Sequence, residues 1–494
     1  MAKRISKSQF MMGLQCPKKL WLYNFRKNLL PPVDPAKQRL FDEGHAVDEV
    51  SRGYFKGGRL VAFDYRQLSH ALKHTSWLMN EDGAKLVYEG AFAAAGVLIR
   101  CDMLKKNPDG SWDLIEVKSS TDVKEEHIPD VAVQRYVLEA AGVKIRKTWL
   151  MHLNRDYVRN GPVEPKKFLT REDISDRVAE FLPSVAGSLE RFAEILESPC
   201  PEPGIGRHCA EPYDCDFCGH CWKTVPDYSI YDIPRLSWEK KNTLKAMGIV
   251  NVRDVPDTFD LNAAQRLYVQ VERTGRPAVD RDALRDFLAE IKYPLYHIDF
   301  ETLMPGIPLF DGTRPYQQVP FQVSLHVQDK PGAAPRHLEY LADPNRDPRP
   351  GLTAFLLANI GPEGSLLAYN AAFEVGRLKE LAAAYPGSSA ALLGLAERAV
   401  DLMRPFKGQA YVLPEFHGRY SIKVLLPAIV PDMTYEGLAI GNGGDAQLAY
   451  MDMVTGKMDR ARREQAMKDL LVYCGQDTLA MVKILEKLYA LAAQ

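Results

Sequence analysis

Period-two alternation of apolar and polar positions marks the strands of this chain, and 3.6-residue stripes mark its helices. The stretch "GVLIRCDMLKKNPDGSWDLIEVKSS", residues 96–120, reads as two strands joined through the turn Pro108-Asp109-Gly110. Folding about that turn brings Asp102 opposite Glu116 to within about a residue. Leu114, Glu116 and Lys118 then share one strand face, and Ile115 and Val117 the other. A helix follows in "DVAVQRYVLEAAG", starting near Asp130 and closed by Gly142. In "YPLYHIDFET" a second strand puts His297, Asp299 and Glu301 on one face and Tyr296, Ile298 and Phe300 on the other. "LLAYNAAFEVGRLKELA" predicts a strand ending at Asn370, a natural helix cap, with Glu374 in the first turn of the next helix. "LLVYCGQDTLAMVKILEKL" is helical, with Tyr473 and Asp477 four apart on one face.

These textures divide the chain into three: 1–225, mixed strand and helix; 226–291, short helices; and 292–494, alternating strands and helices. An α/β multidomain protein is the expected fold class. In the middle part "LKAMGIVNVRDV" sets Leu244, Met247 and Ile249 around a Gly248 turn, either a plain helical linker or a weak helix-hairpin-helix pattern.

At 494 residues and 46% hydrophobic content the chain is long enough for about three domains with more than one core. Its net charge of -1 conceals a basic start: residues 1 to 40 hold nine Lys/Arg against the single acid Asp34. Such an excess suits a polyanion, or is an ordinary solvated surface. No segment approaches the ~20 apolar residues of a membrane span, and "MAKRISKSQFMMGLQC" lacks the pattern of a secretion signal, so a cytoplasmic location without membrane contact is expected.

The chemistry lies in the acids and the cysteines. Two carboxylates facing each other across a strand pair repel unless a divalent cation sits between them, and Asp102 and Glu116 are such a pair. Lys118 would then orient or activate an attacking water, or stabilise charge at a phosphate. Glu-x-Lys alone carries little information, since it recurs at Glu164/Lys166 and Glu239/Lys241. Asp299/Glu301, Glu374 and Asp477 would each, alone, also fit an ordinary surface acid. Five of the eight cysteines fall between Cys200 and Cys221, which in a reducing compartment argues for metal ligation. Cys209, Cys215, Cys218 and Cys221 could form a zinc knuckle by themselves. Cys101 and Cys474 read as core cysteines.

The order Asp102, turn, Glu116-x-Lys118 and a helix carrying Gln134 resembles the PD-(D/E)XK nuclease core, in the RecB-like branch that includes the CRISPR-adaptation exonucleases. Gln134 matches that branch's helix glutamine. The tyrosine expected four residues on is replaced by Leu138, with Tyr136 displaced. The branch's Gly-x-x-x-His ligand is also unmatched: Gly44 is followed four later by Asp48, with His45 out of register. The resemblance implies Mg2+ or Mn2+ at Asp102 and Glu116. It also implies a [4Fe-4S] cluster on Cys16, Cys209, Cys215 and Cys221, with Cys218 as substitute ligand and Zn2+ as the alternative metal.

The second set, Asp299-x-Glu301, then "YNAAFE", then Tyr473-x-x-x-Asp477, resembles the DnaQ-like, RNase H-fold exonucleases in their Tyr-containing form. This implies a mixed sheet with flanking helices. It also implies four carboxylates, Asp299, Glu301, Glu374 and Asp477, holding two Mg2+ or Mn2+ ions, with Tyr473 positioning the attacking water. Glu374 stands where that family usually has Asp. "RPYQQVPFQVSLHV" and "LMHLNRDYVRNG" resemble an uncharacterised bacterial family that fuses both nuclease types. The expected protein is thus a two-site metal-dependent nuclease with a helical linker, acting on single-stranded or end-containing DNA. DNA is preferred over RNA by resemblance alone. The alternatives are a nucleic-acid-binding scaffold with degenerate sites, or an enzyme that cuts only at the C-terminal site.

Overall fold

Two sheets organise the chain, a computed structural model of which describes residues 4–63 and 65–494. Contacts divide it into two units: Met1–Thr224 with Pro305–Tyr316, and Val225–Met304 with Gln317–Gln494. Both are α/β, built on mixed sheets with helices.

The first unit's sheet runs Arg59–Leu60, Leu86–Ala94, Val97–Lys106, Trp112–Val117, Ile145–Leu153, Leu169–Asp173, and the short strand Ile5–Ser6 pairs with the start of Val97–Lys106. The predicted hairpin forms: Asn107 N–H donates to Ser111 O at 2.7 Å, and Gly110 takes the positive φ of 83° that the turn needs. Every residue of Trp112–Val117 is buried. Leu114 packs with Val131, Val137 and Leu138 of the helix His127–Ala140, while Ile115 and Val117 face Met151, Tyr157 and Phe168. That helix begins three residues before Asp130, so Asp130 lies inside its first turn and does not start it.

In the second unit the strand order is Arg336–Leu341, Val319–Gln328, Leu295–Leu303, Ser365–Ala368, Ala399–Asp401; the first three are antiparallel and the last two run parallel to Leu295–Leu303. Tyr296, Ile298 and Phe300 enter the core with Leu352, Leu378 and Leu392, as alternation requires. The opposite face meets the long helix Arg460–Ala492, whose start is capped by Asp459 accepting from Arg462 N–H at 2.9 Å. Its buried positions Leu470, Tyr473, Cys474, Asp477, Thr478, Met481, Leu485 and Leu488 recur at three- and four-residue steps. Asp477 is a carboxylate set into an otherwise core-facing stripe.

Three local expectations change. Residues 226–291 contribute to the second unit's core, since Leu284, Phe287 and Leu288 pack with Leu295, Leu367 and Leu485. Asn370 does not cap the following helix: Ala372–Ala384 starts behind Ala371, while Asn370 adopts a left-handed φ of 68° and donates its N–H to Asp401 at 2.9 Å. Pro305–Tyr316 clusters with the first unit because its backbone carbonyls find donors there. Arg159 Nη1 reaches Pro308 O at 2.6 Å and Leu309 O at 2.8 Å.

Candidate functional site

In the first unit, the strand registers put Asp102 between two acids. Tyr88 pairs with Met103 and Gly90 with Cys101, which sets Glu89 across from Asp102; on the other side Met103 pairs with Ile115, so the next step sets Glu116 across from it. Glu89 holds a positive φ of 56°, an uncommon conformation for a residue with a Cβ and one that concentrates at functional sites. Asp48 approaches from the helix Pro35–Ser51, and ligand oxygens of Asp48, Glu89 and Asp102 all lie within 4.8 Å of one another. Burial first, then Glu116, pushes the Asp102 carboxyl well above its ordinary range; burial and Asp48 also raise Glu89. These three groups could hold a cation.

Glu116 is engaged differently. Its Oε1 accepts from Lys118 Nζ and from Lys7 Nζ, each at 2.8 Å, and its Oε2 from Gln134 Nε2 at 2.7 Å. Both lysines also reach Asp130, Lys7 at 3.2 Å. Burial pushes the Asp130 carboxyl up, but Lys118 and Lys7 outweigh it and hold the group well below the usual carboxylate range. Asp102 Oδ2 accepts from Val117 N–H at 2.6 Å. The predicted set Asp102, Glu116, Lys118 and Gln134 therefore converges, joined by four residues that local patterns did not single out as site residues: Lys7, Asp48, Glu89 and Asp130. Asp48 alone left a trace, four residues after Gly44.

The cysteines also converge. Cys16 sits in extended backbone between the helices Lys7–Gln15 and Pro17–Phe25. Pro17 disfavours a helical Cys16 and so fixes the junction. Gly13 lets the first helix approach closely, since a Cβ there would meet the Phe192 ring at 2.7 Å. Cys16, Cys209, Cys215, Cys218 and Cys221 line one cavity of about 70 Å³. Burial raises the thiols of Cys16, Cys215, Cys218 and Cys221, that of Cys218 up to about 11. Five thiols around one small cavity form a donor set that fits a thiolate-held metal centre, which would take up the thiolates and release their protons. Cys200, with its own burial-raised thiol, lies outside this lining.

In the second unit a cleft of about 350 Å³ is lined by Asp299, Glu301, Glu374, Tyr473 and Asp477, with Lys423 at its wall. All five residues expected from the sequence meet there, from three separate segments. Burial, then Asp477 and Glu301, pushes Asp299 well above the carboxylate range. Burial and Asp477 push Glu301 up to about 8, and burial pushes Asp477 up to about 6. Glu374 is raised by burial and by Asp299, and its Oε2 is buried without a hydrogen-bond partner among the described residues. Acids that repel one another this strongly form a set that could hold a cation. Lys423 Nζ donates to Tyr473 Oη at 2.9 Å, and Tyr435 Oη donates to Asp477 Oδ1 at 2.5 Å. Lys423 and Tyr435 carried no local signal.

At least four of the nine Lys/Arg of the basic N-terminal stretch are held in ion pairs. Lys7 pairs with Glu116 and Asp130, Lys18 with Glu202, and Lys19 and Lys37 with Asp216. Lys3 lies outside the described residues. Among the described residues, no helix is long and apolar enough to cross a membrane.

Comparison with known proteins adds a family and a relative. Residues 296–421 match a family described as a domain of unknown function, DUF2779. That span includes Asp299, Glu301 and Glu374 and stops before Tyr473 and Asp477. The chain is 27% identical over 286 residues to Uncharacterized protein UU173 of Ureaplasma parvum serovar 3, a match covering 52% of this chain and 40% of that protein. The chain is thus similar to a family domain and to a distant relative, neither of which carries an assigned activity.

Proposed function

We propose that this protein is a metal-dependent nuclease that hydrolyses phosphodiester bonds, with its principal site in the second-unit cleft and another in the first unit. One observation carries the reading: Asp299, Glu301, Glu374, Tyr473 and Asp477, up to 178 positions apart in sequence, line one cleft, and Asp299, Glu301 and Asp477 repel one another there as like charges, the last two of them buried. An arrangement that costs stability in the bare protein makes sense if divalent cations offset it. The mixed sheet with helices on both faces also agrees with the RNase H-like resemblance, as the Asp102/Glu116 hairpin backed by the Gln134 helix agrees with the PD-(D/E)XK one.

On this reading Asp299, Glu301, Glu374 and Asp477 would hold Mg2+ or Mn2+. Those ions would stabilise the attacking and leaving oxygens of in-line hydrolysis. Tyr473 Oη, fixed by the Lys423 ammonium at 2.9 Å, would orient the attacking water. In the first unit Asp48, Glu89 and Asp102 would hold the cation, while Lys118 and Lys7, anchored on Glu116 and Asp130, would present positive charge to a phosphate. Cys16, Cys209, Cys215 and Cys221, with Cys218 in reserve, would hold a [4Fe-4S] cluster, or zinc in its place.

A nucleic-acid-binding scaffold is the second reading for the first unit, favoured there by the full engagement of both Glu116 oxygens. The test is incubation of the chain with end-labelled single-stranded DNA and RNA in Mg2+, Mn2+ or chelator. Metal-dependent shortening of either label is expected. Binding without cleavage in both metals would refute the nuclease reading and support the scaffold.

A further inference from the structure

Behind the lining of the second-unit cleft, against Asp299, sits one potential ligand that an all-oxygen magnesium site would not use. Cys474 follows Tyr473 on the helix Arg460–Ala492, fully buried, and its Sγ lies 3.7 Å from Asp299 Oδ2. Ligand atoms of Asp299, Glu301 and Cys474 are all within 4.8 Å of one another. A tetrahedral ion holding a thiolate at about 2.3 Å and a carboxylate oxygen at about 2.1 Å keeps those two atoms about 3.6 Å apart. The observed separation therefore suits a shared cation as well as it suits a thiol donating to a carboxylate. A second observation points to a missing ligand in the cleft that Asp299 and Glu301 line: Glu374, 3% exposed, shares that lining with Oε2 unpartnered among the described residues.

We propose that Cys474 is a metal ligand, so that one cation seat of the cleft is a mixed Asp299/Glu301/Cys474 site that prefers thiophilic divalent ions of the zinc and cobalt class to Mg2+. The inference rests on the reading of this cleft as a cation site. Mg2+ is a hard ion that takes oxygen ligands and keeps its waters, whereas a thiolate favours softer ions. Binding moves the thiol proton to solvent and forms the metal–sulfur bond, with no change of oxidation state. The seat also explains why a cysteine stands on the helix face that otherwise carries Asp477 to the cleft.

The test is anaerobic Co2+ titration of the full chain, following the sulfur-to-cobalt charge-transfer absorbance, for wild type, Cys474→Ser, Cys474→Ala and Asp299→Asn, each repeated with Mg2+ as competitor. The N-terminal cysteine cavity gives a signal common to all four proteins, so the cleft is read from the differences. The expected result is a band component lost in both cysteine variants and in Asp299→Asn, with Co2+ affinity at the cleft falling on the order of 10- to 100-fold and Mg2+ binding little changed in the cysteine variants. Spectra and affinities of both cysteine variants equal to wild type, with Asp299→Asn still losing cation binding, would overturn the role of Cys474 and leave the cation site standing. No loss in Asp299→Asn either would overturn the cation site itself. Using two cysteine replacements guards against a folding defect peculiar to one.

Discussion

Replacing Glu301 by Gln should make the metal-free protein more stable and the metal-loaded protein comparatively less so. Burial, then Asp477, moves the Glu301 carboxyl from its ordinary 4.5 to about 8, with Lys423 opposing and Glu374 adding. A carboxyl raised on folding binds its proton more tightly in the native state. Its contribution is fully present below 4.5 and is lost as pH rises through 8. His297 and His326 of the same unit, both pushed down to about 4 by burial, act in the opposite sense; most of their effect is spent by their ordinary 6.5, and the remainder, about 1 kcal/mol or less for the pair, offsets part of the Glu301 loss above it. Between pH 6.5 and 8 the Glu301 contribution alone falls by about 1 to 2 kcal/mol, and by pH 8 burying this group costs about 4 kcal/mol. Calorimetric unfolding in chelator should show the second unit's transition weakening over that interval in wild type. The slope should be reduced in Glu301→Gln, which should also unfold at higher temperature at pH 8. Saturating Mg2+ or Mn2+ should raise wild type well above its chelator value and leave the variant nearly unmoved. A Glu301→Gln protein less stable than wild type in chelator at pH 8, or metal stabilising both equally, would refute the reasoning.

Other expectations follow from the same contacts. Cys16→Ser should remove the broad absorbance near ~400 nm expected of anaerobically purified protein if the cavity holds an iron-sulfur centre; a colourless wild type with stoichiometric zinc would replace that assignment. Asp48→Asn should weaken cation binding in the first unit by on the order of 10- to 100-fold, measured by Mn2+ titration in an Asp299→Asn background, and unchanged binding would remove Asp48 from the site. Tyr473→Phe should slow cleavage by on the order of 100-fold while leaving metal-induced stabilisation intact, because the ring stays and only the hydroxyl that faces Lys423 is lost.

What could be read from the sequence was local. The hairpin around Gly110 followed from alternation and turn chemistry, and it brought Asp102 and Glu116 into register before any three-dimensional information. The stripe from Leu470 to Leu488 fixed the face on which Tyr473 and Asp477 lie, and cysteine spacing grouped Cys209, Cys215, Cys218 and Cys221, while Cys16, which lines the same cavity, was joined to them by the family resemblance alone. What stayed hidden depends on long-range approach. Lys7 reaches Glu116 across 109 positions, and Lys423 reaches Tyr473 across 50. Glu89 looks like any strand acid until its backbone conformation is known, and Asn370 looks like a cap although its N–H is taken by Asp401. Pro305–Tyr316 reads as part of the C-terminal half, yet clusters with the first unit, because chain proximity does not determine which backbone donors a loop finds. The basic start read as either a polyanion-binding or an ordinary solvated surface, and the sequence could not show that Lys7, Lys18, Lys19 and Lys37 pair with acids of the first unit.

If the clustered carboxylates hold the ions that cleave nucleic acid, cleavage of end-labelled single-stranded DNA and RNA in Mn2+ by wild type, Glu116→Gln, Asp299→Asn and the double variant will separate the two sites. Asp299→Asn should remove most of the activity, Glu116→Gln should remove the part owed to the first unit, and the double variant should bind the label without cutting it. Cleavage by the double variant at the wild-type rate, with both proteins equally pure and folded, would contradict that role of the carboxylates.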